Sequence, residues 1–91
     1  MNIALEGSMI KLLYFARLRE SVGKQEETIK LPDEITNVGQ LRTWLGKRGA
    51  PWDALMRDPK INCAVNCEAV PDGAHINDGD ELAFFPPVTG G

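Results

Sequence analysis

Residues 9–15, MIKLLYF, are the stretch on which the fold depends most. Apolar and aromatic side chains dominate it, which is typical of a β-strand. Residues 81–85, ELAFF, have the same character near the other end of the chain. We therefore predict two strands, and the segments between them decide how these strands can meet.

The segments around the middle of the chain predict three further strands. A turn or single helical turn over 17–23, ending at Gly23, precedes a second strand over 25–31, and Gly23-Lys24 between the first two strands suits a hairpin. A third strand over 61–65 and a short fourth one over 67–70 come later. A stretch rich in turn residues then leads to the last strand.

One main helix is expected between the second and third strands. Asn37 can cap its start, and Gln40 stands three positions later, as in a capping box. Leu41 and Leu45 recur at helical spacing. Gly49 is placed to end the helix.

This order of elements predicts an α+β fold of the β-grasp (ubiquitin-like) type. The sheet is mixed, one main helix packs on one face, and the first and last strands lie side by side in the middle. We divide the chain into a cloning remnant or disordered extension (1–8), a β-grasp domain (9–85) and an extended tail (86–91). The alternative for the first segment is an extra edge strand over 3–5, and 51–56 are expected to form a loop or short helical turn.

The composition fits one small domain and excludes several functions. The chain has 91 residues and a net charge of -3, and its basic residues are scattered between Lys11 and Lys60, which argues against nucleic acid as a partner. No apolar stretch approaches the ~20 residues of a membrane helix, and residues 1–8 lack the charged leader of a secretory signal. We expect a cytoplasmic protein with no membrane partner.

The two cysteines do not suggest a disulfide. Cys63 and Cys67 would lie ~13 Å apart on one strand, although a turn at 66–67 could bring them closer. A reducing cytoplasm is the simpler setting. No zinc or other metal site is expected, because the only histidine, His75, stands alone.

A few other residues invite a functional interpretation. Asp78 and Asp80 flank Gly79 and could suggest a metal, but a solvated turn is the simpler interpretation. His75 is expected on a surface loop. Trp44 and Trp52 are expected to be packing residues and not a ligand cage.

The tail differs chemically from the rest of the chain. Pro86-Pro87 fixes two φ angles and keeps the base of the tail extended, and Gly90-Gly91 makes the tip as thin as a polypeptide can be. A free α-carboxylate is ionised and a poor electrophile. Activation by ATP would give an acyl-adenylate that sulfide or a persulfide could attack. The sequence has no phosphate-loop motif, so a separate protein must carry out the activation.

Together with the strand order, the ending FFPPVTGG (84–91) resembles a known family. Residues 9–91 are similar to the small, sulfur-carrying subunit of molybdopterin synthase, called MoaD in bacteria. The motifs IKLLYFARLRE (10–20), AVN (64–66) and DGDE (78–81) carry the resemblance together with the ending. A related carrier for thiazole synthesis shares the terminal Gly-Gly but usually lacks the residues FFPP that precede it here.

The resemblance implies a mechanism centred on Gly91. A MoeB-like enzyme, similar to ubiquitin-activating enzymes, uses ATP to adenylate this residue, and sulfur transfer makes a terminal thiocarboxylate. The tail then enters a pocket of the large, MoaE-like subunit and gives its sulfur to cyclic pyranopterin monophosphate in molybdenum cofactor biosynthesis. The inserted residues are Pro86, Pro87, Val88, Thr89 and Gly90. The resemblance also implies a heterotetramer, with no cofactor bound by this chain and no catalysis by this chain alone.

Strand alternation predicts a surface for that partner. If the main helix covers one face of the sheet, four apolar residues form an exposed patch on the other face, at the root of the tail. These are Leu13, Phe15, Ala83 and Phe85. The alternative is that the short segments near Arg17 or Trp52 fold over them.

Three other functions stay open at this point. The chain could be another ubiquitin-like sulfur carrier, or a protein modifier conjugated to lysines through the same activated Gly91. It could also be a β-grasp interaction module whose tail is incidental. The products formed with ATP and an activating enzyme would separate these possibilities.

Overall fold

Eight helices and strands follow one another along residues 8–87, the part of the chain that the computed structural model describes. In chain order they are β1 (Ser8–Tyr14), α1 (Arg17–Val22), β2 (Glu26–Leu31), α2 (Val38–Gly46), α3 (Trp52–Arg57), β3 (Asn62–Val65), β4 (Glu68–Val70) and β5 (Glu81–Phe85). Within these residues, no helix has both the length and the apolar character needed to cross a bilayer.

The strands form one mixed sheet in the order β2-β1-β5-β3-β4. β1 and β5 run parallel in its middle, with Leu12 beside Leu82 and Tyr14 beside Phe84. The remaining neighbours are antiparallel. The prediction of an α+β β-grasp fold, with the first and last strands adjacent at the centre, is confirmed.

The core lies on one face of this sheet, under α2. The alternate residues of the two central strands are at most 1 % exposed: Ile10, Leu12, Tyr14, Leu82 and Phe84. Leu41 and Leu45 of α2 are fully buried against them. Burial of each such side chain contributes about 1.5–3 kcal/mol to the free energy of unfolding. This gain favours the arrangement in which the apolar face of the two central strands packs against the apolar face of α2.

The short segments also pack on the core side. Leu18 of α1 is fully buried, and Trp52 and Met56 of α3 belong to the same core cluster. Trp52 meets the ring of Tyr14 edge-on, with 5.4 Å between centroids, while Trp44 is half-buried against the core. Both tryptophans are therefore packing residues, as predicted.

The start of α2 follows the predicted cap with one difference. The Asn37 side chain accepts a hydrogen bond from the backbone N–H of Gln40 at 2.8 Å. The Gln40 side chain reaches one residue further back than in a standard capping box and accepts the N–H of Thr36 at 2.7 Å. Two more N–H groups of the first turn bond to the carbonyls of Ala74 and Asp72, so the loop before β5 completes the cap.

One glycine has the role predicted for it and one does not. Gly23 ends α1 in the left-handed conformation, at φ 78°, as predicted for a helical turn ending at this residue, although the whole helix and not a tight hairpin turn connects β1 to β2. Gly49 does not end α2, which stops at Gly46. A tighter turn follows, in which the N–H of Gly49 bonds to the carbonyl of Gly46. Helical periodicity does not reveal where an α-helix tightens into such a turn.

A buried arginine, which the sequence pattern did not single out, links α2 to α3 and β3. Arg42 is 9 % exposed, and its guanidinium donates to the carbonyl oxygens of Met56, Asp58 and Ile61 at 2.7–3.0 Å. A longer ion pair of 3.8 Å joins it to Asp72. A buried charge is tolerated when it is paired and hydrogen-bonded. The ion pair with Asp72 and the three hydrogen bonds to carbonyl oxygens meet these two conditions for Arg42.

Candidate functional site at the root of the tail

The tail leaves the body of the protein from the middle of the sheet. β5 ends at Phe85, with β1 and β3 as its neighbours, and the half-buried Pro86 and exposed Pro87 follow. Neither proline has an N–H to donate, so the ladder of β5 cannot continue. The other predicted tail residues, including Gly91, lie outside the described residues: Val88, Thr89, Gly90 and Gly91.

The four predicted patch residues lie on the face of the sheet that the helices leave open. Leu13 and Ala83 are register partners on β1 and β5, and Phe15 continues the pairing by donating its N–H to the carbonyl of Phe84 at 3.2 Å. Phe15 is 45 % exposed, and Leu13, Ala83 and Phe85 are half-buried. Because α1 and α3 pack on the core side, the short segments do not cover this apolar patch.

The open face contains further apolar side chains that were not predicted for the patch. Ala83 pairs in register with Ala64 of β3, which pairs with Ala69 of β4. Met9, on the same side of β1 as Leu13, is 46 % exposed. The alternation that selected Leu13 also points to Met9, so the signal was present in the sequence.

A hydrogen-bonded network supports the sheet behind the root of the tail. Tyr14 stacks on Phe84 with 6.4 Å between ring centroids, and its hydroxyl donates to Glu27 at 2.6 Å. Arg48 donates two hydrogen bonds to the same carboxylate, at 2.8 and 3.3 Å, and its guanidinium lies 4.5 Å from the ring centroid of Trp52. The network joins β1, β2 and the end of α2.

These contacts shift the ionisation of both acidic groups in the network. Burial raises the pKa of Tyr14, and the hydrogen bond to Glu27 raises it further. Burial by itself opposes ionisation of Glu27, but the hydrogen bonds from Arg48 and Tyr14 outweigh this effect and lower the pKa of Glu27. The carboxylate is therefore ionised and the phenol neutral at neutral pH.

At the other end of the sheet, Asp80 has a structural role. It is 9 % exposed and accepts hydrogen bonds from the side chain of Asn66 at 2.9 Å and the N–H of Asn77 at 2.8 Å. Asn66 in turn accepts the N–H of Glu81, and Asp78 accepts that of Met9. The prediction of a solvated turn is wrong for Asp80, because the turn folds back on Asn66.

Neither this turn nor the cysteines supply an obvious reactive centre. Across residues 8–87, no three His, Cys, Asp or Glu side chains come together as metal ligands would. Cys63 is buried, which raises the pKa of its thiol to about 12, while Cys67 is exposed, and both are free. His75 is exposed on the loop before β5, as predicted. Within the described residues, the distinctive feature remains the root of the tail.

Comparison with known proteins agrees with this arrangement. A family profile described as the ThiS family matches residues 12–91. The chain is 40 % identical to the molybdopterin synthase sulfur carrier subunit of Escherichia coli, over 91 % of this chain and 100 % of the relative. The corresponding human protein is 36 % identical, over 90 % of this chain and 93 % of the relative.

Two solved structures of similar proteins match nearly the whole chain. A putative molybdopterin converting factor, subunit 1, from Pyrococcus furiosus is 33 % identical, with a TM-score of 0.75 over 89 % of this chain and 99 % of that one. The crystal structure of SAMP1 from Haloferax volcanii is 30 % identical, with a TM-score of 0.72 over 92 % of this chain and 100 % of that one. The chain therefore belongs to the ThiS family, and its sequence groups it with the molybdopterin synthase sulfur carrier subunits.

Proposed function

We propose that this chain is the sulfur carrier subunit of a molybdopterin synthase and that it acts through Gly91. The main observation in support is the exit of the tail: Pro86-Pro87 follows the central strand, beside an exposed apolar patch, in a chain similar to named carrier subunits over nearly its full length. In the family profile, the match extends to residue 91. The reactive group proposed is the terminal carboxyl.

The proposed chemistry begins with activation by a separate, MoeB-like adenylyltransferase. An oxygen of the Gly91 carboxylate attacks the α-phosphorus of ATP, and pyrophosphate leaves. Hydrosulfide then attacks the carbonyl carbon, AMP leaves, and a thiocarboxylate remains. With a persulfide donor, an acyl disulfide forms first, and a thiol cleaves it to the same product. Two carriers, each bearing a thiocarboxylate, would supply the two sulfurs that convert cyclic pyranopterin monophosphate to molybdopterin.

The proposed partner for sulfur transfer is a larger, MoaE-like subunit. The names of the relatives, carrier subunit and subunit 1, describe one part of an assembly. The apolar patch formed by Leu13, Phe15, Ala83 and Phe85 gives that partner an apolar contact surface beside the tail. Residues 86–90 would then enter its pocket, where the glycine tip needs little width. We extend the proposal to a heterotetramer built on a dimer of the larger subunit.

Intact mass spectrometry tests the proposed function directly. The protein is incubated with ATP, the activating enzyme of the same organism and a sulfur source. We expect a mass gain equal to one sulfur replacing one oxygen, located at Gly91 by fragmentation. A variant that lacks Gly91 is the matched control and should gain nothing. An unchanged mass for the full chain, with synthase activity that survives deletion of Gly90-Gly91, would refute the proposal.

A protein modifier is the second candidate, because SAMP1 of Haloferax volcanii, a small archaeal modifier protein, is among the structural neighbours. A modifier would use the same adenylate but pass Gly91 to a lysine amine, forming an isopeptide bond as AMP is lost. Adducts on other proteins after incubation in cell extract with ATP would favour this candidate. A thiocarboxylate without adducts would favour the carrier. In either role, the free thiols Cys63 and Cys67 suit the reducing cytoplasm in which we place the protein.

A further inference from the structure

The outer edge of β2 is the longer of the two free edges of the described sheet, because β2 has 6 residues and β4, at the opposite edge, has 3. The N–H of Tyr14 bonds to the carbonyl of Gln25 at 3.0 Å and continues the β1–β2 register by one pair. Because hydrogen-bonded and non-hydrogen-bonded pairs alternate in an antiparallel ladder, the backbone groups of Glu26, Thr28 and Lys30 point away from β1. Within residues 8–87, none of these groups bonds to another segment.

The side chains of the same three residues are exposed and share one face of the strand. Glu26 is the register partner of Leu13, so this face is the open face of the sheet. Glu26, Thr28 and Lys30 are all exposed there. Along the edge, an acidic, an uncharged and a basic side chain therefore follow one another at every second position.

This order makes the edge complementary to itself. If a second copy pairs antiparallel with Thr28 opposite Thr28, each Glu26 lies opposite Lys30 of the other copy. A two-fold axis through the Thr28 pair then relates the copies. Each pair exchanges both of its N–H···O bonds, because the backbone groups concerned are the outward ones. Opposite charges and a Thr-Thr pair directly across two strands both favour the pairing.

Registers shifted by two residues lack this complementarity. One shift places Lys30 opposite Lys24 of the second copy, and like charges directly across two strands oppose pairing. The opposite shift leaves Glu26 across from Pro32, which has no N–H to donate. The charge pattern of the edge therefore selects the register centred on Thr28.

We infer that two copies of this chain pair through their β2 edges, in the antiparallel register centred on Thr28, and form a two-fold dimer with one continuous sheet. This inference goes beyond the proposed function. β1 separates β2 from β5, so the strand that carries the tail takes no part in the pairing. The two β5 strands run in opposite directions, and their C-terminal ends lie at opposite ends of the joined sheet.

Sedimentation equilibrium over a range of protein concentrations tests the inference by charge reversal. Glu26→Lys and Lys30→Glu each set like charges opposite one another at both ends of the pairing. We expect each reversal to raise the dissociation constant of the dimer at least about tenfold.

Exchanging the two charges provides a rescue experiment. The double variant Glu26→Lys/Lys30→Glu restores opposite charges across the edge, and so does an equimolar mixture of the two single variants. Both should dimerise at least about threefold more tightly than either single variant alone. The rescue is expected to be partial, because Lys11 lies 3.7 Å from the carboxylate of Glu26 and favours an acidic residue there.

Two further variants separate this edge from other surfaces. Thr28→Pro removes an N–H that points away from β1, so it should abolish the dimer while circular dichroism shows a folded monomer. Phe85→Asp changes the apolar patch and should leave the dissociation constant of the dimer unchanged.

Four results would overturn the inference. The wild-type protein could remain monomeric up to ~1 mM. The dimer could survive Glu26→Lys, Lys30→Glu and Thr28→Pro, which would place it on another surface. The double variant and the mixture could dimerise no better than the single variants. Finally, a monomeric wild type whose binding to the larger subunit is lost in Thr28→Pro would assign the edge to that subunit instead.

Discussion

At the scale of single residues, the contacts behind the root of the tail come from side chains distant in sequence. Tyr14 and Glu27 lie on neighbouring strands, and Arg48 follows the main helix. Of these three residues, only Tyr14 lies in a sequence pattern that predicts burial. The ionic partner of a buried phenol depends on which charged residue the fold brings near, and neither periodicity nor spacing contains that information.

Glu27→Gln tests this network. The substitution removes the ion pair with Arg48 but keeps an oxygen for the Tyr14 hydroxyl, so we expect a loss of about 1–2 kcal/mol in the free energy of unfolding at pH 7. The pKa of Glu27 is lowered in the folded state. Its contribution is therefore complete above the unfolded value of about 4.3 and disappears as pH falls through the lower folded pKa.

Urea unfolding from pH 7 down to pH 3 measures both effects. The difference between wild type and Glu27→Gln should narrow as the solution becomes acidic. Glu26→Gln is the matched control, because Glu26 is exposed and its ion pair with Lys11 spans 3.7 Å. It should cost less than about 0.5 kcal/mol. A constant difference between wild type and Glu27→Gln across the pH range would contradict the role given to the carboxylate.

At the scale of elements, the turn between β3 and β4 shows a conflict between residue type and backbone. Asn66 and Cys67 both have positive φ, 50° and 72°, as in the two-residue turns that favour Asn-Gly. Asn66 is well suited, because its side chain also bonds to Asp80 and to the N–H of Glu81. Cys67 carries a Cβ in a conformation that glycine adopts without strain.

Cys67→Gly should therefore stabilise the protein. We expect a gain of about 0.5–1 kcal/mol, visible as a higher Tm. Cys67→Ala is the matched control, because it removes the thiol but keeps the Cβ, and it should leave Tm nearly unchanged. Equal gains from both variants would show that the thiol, and not the backbone conformation, caused the difference.

At the scale of the whole molecule, the one-sided packing of all three helices leaves an apolar face of the sheet open at the root of the tail. Phe15 lies there just beyond β1, and Phe85 lies at the end of β5, so both stand at the ends of the two central strands. Interface energy tends to concentrate in a few aromatic residues near the centre of the contact. The patch should therefore matter for assembly more than for folding.

Phe85→Asp should weaken binding of the larger subunit at least tenfold while the fold survives. Isothermal titration measures the affinity, and circular dichroism with a thermal melt checks the fold. Met9→Asp is a matched control, because Met9 is an exposed apolar residue on the same face but at the start of β1, away from the root of the tail. We expect a smaller loss there. An affinity of Phe85→Asp equal to that of wild type would reject the patch as an interface.

Much of this architecture was predictable from local patterns. Alternation along 9–15 and 81–85 separated the core face from the open face, and the spacing of Leu41 and Leu45 identified the main helix. Such patterns are readable because burial repeats with the period of the element itself. The proline and glycine residues of the tail likewise point to its chemistry through their own backbone properties.

Other features depended on contacts between distant segments. The role of Gly49, the burial of Asp80 against Asn66, and the carbonyl contacts of Arg42 follow from which loops and helices meet. Polar and ionic partners satisfy one another across the fold at separations that no local period encodes. The linear chain thus specified the elements, their inward faces and the character of the tail, while tertiary packing decided which charged and polar side chains pair across the fold.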